Sequence, residues 1–430
     1  MDSYLKTYED DIFFFIPMTI ADEGDKKRKR NIEKEVFAKI KADVEKYKAS
    51  NTDQNDYGDM YCEIVTEHVN YECNNPVFRE VERLNLGKFT LACYDDDYDG
   101  TVLDTEQAHI IITTHQKTGL YIVTLAIHDN HYIPTQLIDQ MSTDHLEILN
   151  EETGKYINVI EYMSEKYNLS LCGEAKCVVC LSKEPEDKTE LGYLLSGETY
   201  VSEHIDYHIR DVRIKEMLRN RAIYDYYDSY ISPSVIAFIF KEYSDDLEKR
   251  LERETSELFI VEIVLFQNTA VLRTNRRVVA ELDESDGITN TEIEELYLEF
   301  GHTMRFWSAD VFKYPFSQIE ADEVINSFGI AQAREEYLRN QQFIDRLIEL
   351  KGNIESERSN SRMNFILYVL AWIEGASILL SGLMLIFDMI GITHKFWWGL
   401  LSIGVCVFIA MFIYFTLISG KKITKKKKLK

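Results

Sequence analysis

Two long apolar runs near the C-terminal end constrain this chain more than any other feature. Residues 365–387 form a run of 23 residues with one charge, Glu374, and residues 396–418 form a run of 23 residues with none. As a helix, each run is about 34 Å long, which is enough to cross a hydrocarbon core of about 30 Å. Two adjacent runs of this length rarely fit inside one soluble core. We therefore predict a hairpin of transmembrane helices at residues 363–390 and 396–418.

The charges that flank the two runs predict their orientation. The tail, residues 419–430, carries seven lysines, whereas the connection at residues 388–395 carries one lysine and one histidine. Because positive residues stay on the cytosolic side, both termini are predicted to be cytosolic and the connection external. The first residues, MDSYLKTYEDD, lack the positive start of a signal peptide. We expect a multi-pass protein of the bacterial inner membrane, in contact with the lipid bilayer.

The remaining charge is strongly acidic. The chain carries −25 in total; the lysine-rich tail contributes +7 and residues 363–418 contribute −1, so residues 1–362 carry −31. This excess argues against direct binding of nucleic-acid polymers and is compatible with attracting cations to a pore mouth. Solubility of an acidic cytosolic domain explains it equally well. The seven cysteines suggest no disulfide framework, and no P-loop, GxSxG or HExxH motif is present, so we do not expect an enzyme.

Residues 1–315 are predicted to form a cytosolic α+β or α/β sensor domain, with a possible division near residues 183–200. The predicted strands are 12–16, ended by Pro17, then 88–94, 109–114, 120–127 and 176–181. Residues 258–266 and 270–282 are predicted as a further hairpin around Gln-Asn-Thr. The predicted helices are 31–47, 134–141, 155–167 and 206–240, the last with a break at Pro233.

Residues 316–362 are predicted to be a stalk helix region, in which the pattern changes from Ile330 onward. Apolar residues follow a heptad spacing through Ile330, Tyr337, Ile344, Leu347 and Ile354, and no proline occurs from residue 318 to residue 430. One helix could therefore continue from the cytosol through the first span. A seam with so few apolar positions packs against copies of itself or against the domain, and we infer a homo-oligomer.

A polar stripe follows the first predicted span. Spacings of three, four and seven place four residues on one helix face, and Asn360 falls near that face; the four are Glu374, Ser377, Ser381 and Asp388. A charge in mid-membrane costs roughly 2.5 to 3.5 kcal/mol and normally faces a bundle interior or water. The stripe is predicted to line a pore. Alternatively, Glu374 is protonated or paired at a helix interface and stabilises assembly.

The segment DDDYDGTVLDTE satisfies the pattern of a calcium loop through Asp95, Asp97, Asp99 and Glu106. Its flanks are strand-like, whereas the pattern requires two helices. A solvated acidic hairpin loop is the simpler interpretation, and a Mg²⁺ or Ca²⁺ site is the alternative. No other cofactor is expected, since the spacing of Cys172, Cys177 and Cys180 offers zinc three ligands at best.

Clusters of basic residues stand out against the acidic background. The cluster with most aromatic neighbours is predicted to bind a nucleotide, with tyrosines that could stack a base, and consists of Arg210, Arg213, Lys215, Arg219, Arg221 and Tyr226. Two other clusters are Lys26–Arg30 and the set Arg273, Arg276 and Arg277. Salt bridges within an acid-rich fold would explain all three.

The layout of a cytosolic domain, a long helix entering the membrane, a short external loop HKFWWG and a lysine-rich end resembles the CorA family of divalent-cation channels. The resemblance covers roughly residues 330–430. The family's Gly-Met-Asn filter is missing, and FDMIGITHKFWW stands in its place. The chain looks similar to the branch of CorA-like membrane effectors found beside type III CRISPR systems. That resemblance implies a pentamer and a nucleotide messenger, such as one built from S-adenosylmethionine and AMP.

Three functions stay open on the sequence. The first is a ligand-gated CorA-like pore that disturbs ion balance in antiviral defence. The second is a transporter of magnesium or another divalent cation, which the missing filter disfavours. The third is a membrane-tethered receptor that does not conduct, which the polar stripe with Glu374 disfavours.

Overall fold

A computed structural model describes residues 10–21, 26–51, 56–94, 101–132, 134–185, 188–197, 210–242, 244, 246–283, 290–307, 310–390 and 404. Contacts divide the chain into two compact units, Met1–Arg346 and Leu347–Lys430. The first unit is an α+β domain built on one large sheet.

The strands are β1 Asp10–Ile20, β2 Glu82–Tyr94, β3 Val102–His115, β4 Leu120–Asn130, β5 Glu147–Asn150, β6 Lys155–Asn158, β7 Leu169–Leu171, β8 Lys176–Leu181, β9 Tyr227–Ile231 and β10 Val235–Phe240. The helices are α1 Lys26–Ser50, α2 Tyr57–Glu72, α3 Pro134–Ser142, α4 Val159–Tyr167, α5 Lys188–Ser196, α6 Asp211–Met217, α7 Leu247–Asp283, α8 Asn290–Met304, α9 Pro315–Ser327 and α10 Ile330–Ile390, with a 3₁₀ turn at Pro76–Glu80.

The sheet is mixed, and its order is β6-β5-β2-β3-β4-β1-β8-β10-β9, with β7 paired to β1. Of the described neighbours, β8 and β10 are parallel and the others antiparallel. The predicted hairpin of strands 109–114 and 120–127 is confirmed as β3 and β4. Strands β8 and β10 lie on either side of residues 183–200 in the chain and pair with each other, so one sheet includes both sides of the division considered there.

Both faces of the sheet are covered by helices. In β1, Ile12, Phe14 and Ile16 pack into a core with α1, α3, α4 and α5, whereas Phe13 and Phe15 pack into a second core with α2, α7 and α9. Since successive side chains of a strand point to opposite faces, a strand covered on both faces reads as a continuous apolar run. This is why IFFFI lacks alternation.

β1 does not end at Pro17 as predicted, and it continues to Ile20. The backbone N–H and C=O of a strand residue point to the same side, and the Pro17 carbonyl accepts a hydrogen bond from the Cys172 amide rather than from β4. On that side the partner of β1 changes from β8 to β7. The missing N–H of proline therefore breaks no bond to β4.

The predicted hairpin at residues 258–266 and 270–282 is wrong, because the whole stretch lies in α7, a single helix of 37 residues. The segment read as a turn is buried in that helix: Gln267 Nε2 donates to the Phe306 carbonyl at 2.8 Å, and Thr269 Oγ1 donates to the Leu265 carbonyl at 2.7 Å. β-branched residues favour strands only weakly, and tertiary packing has overridden them here.

α7 also has the length and hydropathy of a membrane span over Leu247–Glu281, with a mean hydropathy of 1.3, and among the described residues no other helix passes that test. However, 83% of its apolar window is buried against the rest of the protein. α7 is the central helix of the second core.

Two other helix predictions need correction. Residues 206–240 are not one helix: α6 covers only Asp211–Met217, and β9 and β10 follow with Pro233 between them. Residues 155–158 form β6, so the predicted helix 155–167 begins four residues later, where Asn158 accepts a hydrogen bond from the Ile160 amide at 2.8 Å. Short apolar runs such as VIAFIF fit a buried strand and a buried helix equally well.

The stalk helix region contains two helices. α9 ends at Ser327, Gly329 takes a left-handed φ of 70°, and α10 then runs unbroken from Ile330 to Ile390. The prediction of one helix continuing into residues 363–390 is confirmed at the level of secondary structure. Residues 396–418 and the tail lie outside the described part, apart from Gly404.

Candidate functional site

The heptad seam of α10 packs against its own domain. Ile330, Tyr337 and Ile344 are fully buried, and the Tyr337 hydroxyl donates to the Phe300 carbonyl of α8 at 2.8 Å. The sequence left open whether the seam packs against the domain or against another copy of the chain. These three residues pack against the domain. The oligomer stays a prediction, and it now depends on other surfaces.

The predicted pore positions all fall on α10, whose backbone is helical from Ile330 to Ile390. Glu374, Ser377, Ser381 and Asp388 consequently share a helix face. Among the described side chains of this stretch, Asn360 and Glu374 are exposed. A band of apolar side chains beside them is exposed too, between 46% and 71%: Met363, Phe365, Ile366, Leu367, Tyr368 and Leu370.

Most of the predicted nucleotide-binding arginines and lysine are exposed, and two of the arginines are paired with acids. Arg210, Lys215 and Arg219 are exposed, and Arg213 is exposed and paired with Glu216 one turn further along α6. Arg221 instead forms an ion pair with Glu323 of α9.

The predicted stacking tyrosine is also engaged by an acid. The Tyr226 hydroxyl donates to Glu257 at 2.5 Å, and the neighbouring Tyr227 hydroxyl donates to Glu320 at 3.1 Å. The surroundings of Tyr226 are therefore acidic, which opposes a phosphate there.

The structure describes only some of the other candidates that the sequence suggested. Asp95, Asp97 and Asp99 lie outside the described residues, and Glu106 lies in β3, where it accepts a hydrogen bond from the His131 amide at 2.9 Å. Cys172, Cys177 and Cys180 are buried, and burial raises the pKa of each thiol. The side chains of Lys26–Arg30 are outside the described part, whereas Arg273 and Arg277 pair with Glu299.

The structure brings together one polar cluster that the sequence analysis missed. At one end of the sheet, the buried Asp11 carboxylate contacts the His128 Nδ1 at 2.9 Å and accepts from the Asp129 amide at 3.0 Å. The Tyr57 ring stacks on His128 with centroids 4.6 Å apart. Arg250, from the first turns of α7, donates to Asp129 Oδ1 at 2.8 Å.

The donor atoms of Asp11, His128 and Asp129 lie within 4.8 Å of one another, and one imidazole with two carboxylates is a donor set that suits a divalent metal. However, the Arg250 guanidinium lies against the His128 ring and within 3.6 Å of Asp11. The guanidinium thus supplies a positive charge to both acids, and the cluster in this form is an ion-pair network that joins β1, β4 and α7.

A signal for this cluster was present in the sequence. Asp10 and Asp11 begin β1, and His128 and Asp129 end β4. Adjacent antiparallel strands place the start of one beside the end of the other, so the two pairs had to meet once β1 and β4 were paired. Burial raises the pKa of the neighbouring Asp10 to about 7, and Asp11 adds to the rise.

Comparison with protein-family models, with curated proteins and with solved structures gave no match.

Proposed function

We propose that this chain is a CorA-like, cation-conducting oligomer of the inner membrane, gated through its α+β domain. The observation that carries the proposal is α10, one unbroken helix that begins on the domain and includes the first apolar run. The predicted polar stripe lies on one face of this helix, and Glu374 is its one carboxylate within the apolar run at residues 365–387.

The exposed apolar band on α10 supports a membrane environment. Burying a large apolar side chain gains about 1.5 to 3 kcal/mol, so leaving six of them in water costs on the order of 10 kcal/mol. Exposed apolar surface of this extent marks a membrane or a protein contact. The length of the run at residues 365–387 and the lysine-rich tail favour the membrane.

Conduction is proposed from the polar stripe. Several α10 helices around a common axis would form a ring of Glu374 carboxylates that attracts cations and repels anions. The missing Gly-Met-Asn filter weighs against a dedicated magnesium transporter. By the resemblance stated above, the pore belongs to type III CRISPR defence, and an adenine-containing messenger opens it through the α+β domain.

The proposal is tested with purified protein in liposomes, with messenger candidates added, by measuring cation and anion flux. Glu374→Gln keeps the size and hydrogen bonding of the side chain and removes the charge. We expect the preference for cations over anions to fall toward unity, with assembly intact. Glu349→Gln is a matched control, because Glu349 is an exposed glutamate on the same helix outside the apolar run.

A structural role for Glu374 predicts the opposite pattern. In that case Glu374→Gln changes the stability of the oligomer, while ion preference is unchanged in whatever still assembles. Equal flux and equal selectivity in the two variants, with normal assembly, would remove Glu374 from the conduction path.

A further inference from the structure

Two buried carboxyl groups meet between α7 and α9. Glu257 is 2% exposed and Glu320 is 7% exposed, and the two carboxyl groups lie within hydrogen-bonding reach of each other. Tyr227, which is fully buried, places its hydroxyl 3.1 Å from Glu320 and 3.3 Å from Glu257, and Tyr226 donates to Glu257 at 2.5 Å. We call Glu257 and Glu320 the acid pair.

No cation among the described partners balances the acid pair. From α7, Ser256 lies beside Glu257, and Arg253, one turn earlier, is bound to Glu242. From α2, Glu72 adds a third negative charge, and it is shared between His68 and Ser317.

The arginine that contacts α9 is engaged as well. Arg221 pairs with Glu323, three residues beyond Glu320 on α9. Tyr224 stacks on Tyr226 and contacts Phe316 edge-on. None of these rings carries a charge that could balance an acid.

We propose that the acid pair is a proton-binding site that ties α9 to α7. Two carboxylates in contact and away from water cannot both be ionised, so one proton is held between them. Glu320 carries it and donates to the Glu257 carboxylate. Burial, followed by the Glu257 charge, raises the pKa of Glu320 well above its usual range, and burial raises the pKa of Glu257.

Release of that proton to water would leave two negative charges side by side and push α9 away from α7. α9 is separated from α10 by Phe328 and Gly329 alone. The proton therefore controls how firmly the segment that leads into α10 is held. The inference concerns the domain alone and stands whether or not the protein conducts.

Infrared spectroscopy of the full chain in detergent tests the proton directly. At neutral pH we expect the carboxylic-acid C=O absorption to lose one component in Glu320→Gln, where the amide donates to Glu257 without a proton, while the component from Asp10 is common to both proteins. Asp322→Asn, an exposed neighbour on α9, is the matched control and should keep the Glu320 component. Identical bands in the wild type and Glu320→Gln would overturn the proposal.

Hydrogen exchange of the α9 amides, corrected for intrinsic rates, tests the mechanical consequence. Because closing the segment binds one proton, the opening equilibrium in the wild type should rise by up to about tenfold per pH unit between the ordinary pKa of an exposed glutamate and the raised pKa of Glu320 in the closed domain, and should level off above it. Glu320→Gln should abolish that rise, and Asp322→Asn should retain it. If the wild type shows the carboxylic-acid band but the α9 amides exchange with the same pH dependence in the wild type, Glu320→Gln and Asp322→Asn, the proton does not tie α9 to α7.

Discussion

The ion pair between Arg83 of β2 and Glu262 of α7 allows a quantitative test of α7 as the central core helix. Both side chains are nearly inaccessible, at 2% and 1% exposed, and Glu262 also accepts from Thr113 Oγ1 at 2.8 Å. Glu262→Ala leaves the Arg83 guanidinium buried without its counter-ion. Removing one partner of such a pair costs about 3 to 5 kcal/mol, against a total domain stability of about 5 to 15 kcal/mol.

The double variant Arg83→Met with Glu262→Leu separates the two contributions. It removes both charges and fills similar volume, so it should recover most of the loss, except about 1 kcal/mol for the Thr113 hydroxyl left without its acceptor. Urea unfolding of the detergent-solubilised chain, followed by fluorescence, measures both free energies of unfolding.

The exposed pair of Arg213 and Glu216 supplies the control, since Arg213→Met should cost less than about 1 kcal/mol. If Glu262→Ala costs no more than Arg213→Met, α7 does not pack in the core as described, and the reasoning fails.

Two further predictions concern the pH dependence of stability and the packing of α10 against the domain. Burial lowers the pKa of His109 to about 4 from 6.5, so the unfolded chain binds the extra proton in that range, and stability should fall by up to about 3 kcal/mol as the pH drops from 6.5 to 4. His109→Gln should flatten the pH dependence of the free energy of unfolding, measured by urea titration at each pH, whereas the surface variant His302→Gln should not. Equal pH dependence in the two variants would contradict the prediction. Ile344→Ala should lower the free energy of unfolding by about 2 to 5 kcal/mol even at protein concentrations that dissociate an oligomer. Phe343→Ala, at the exposed neighbouring position, should lower it far less. A loss of stability that disappears on dilution would place Ile344 between subunits.

The sequence predicted β3 and β4 because each carries a strong local signal, apolar residues bounded by a turn. It predicted the helical stretch through residues 363–390 because no proline or turn interrupts the run. These features depend on a few neighbouring residues, which is why they can be read without the fold.

Other features depend on partners far along the chain. α7 was mistaken for a hairpin because Gln267, Asn268 and Thr269 look like a turn until Phe306 is known to accept from Gln267. Likewise, nothing local in the sequence indicates that the Tyr226 hydroxyl donates to Glu257, 31 residues away. Heptad spacing could not distinguish the domain from a second copy as the partner of Tyr337.

The central claim is that residues 363–390 and 396–418 form a membrane hairpin, because both the proposed pore and the proposed gating from the cytosolic side depend on it. Its most direct test is the accessibility of single cysteines to a membrane-impermeant thiol reagent in sealed vesicles of either orientation, with the labelling of the parent protein subtracted. We predict that Thr393→Cys, between the two apolar runs, is labelled only from the external side, and that Ser419→Cys, in the tail, is labelled only from the cytosolic side. Labelling of both positions from the same side, or recovery of the protein free of the membrane, would contradict the account.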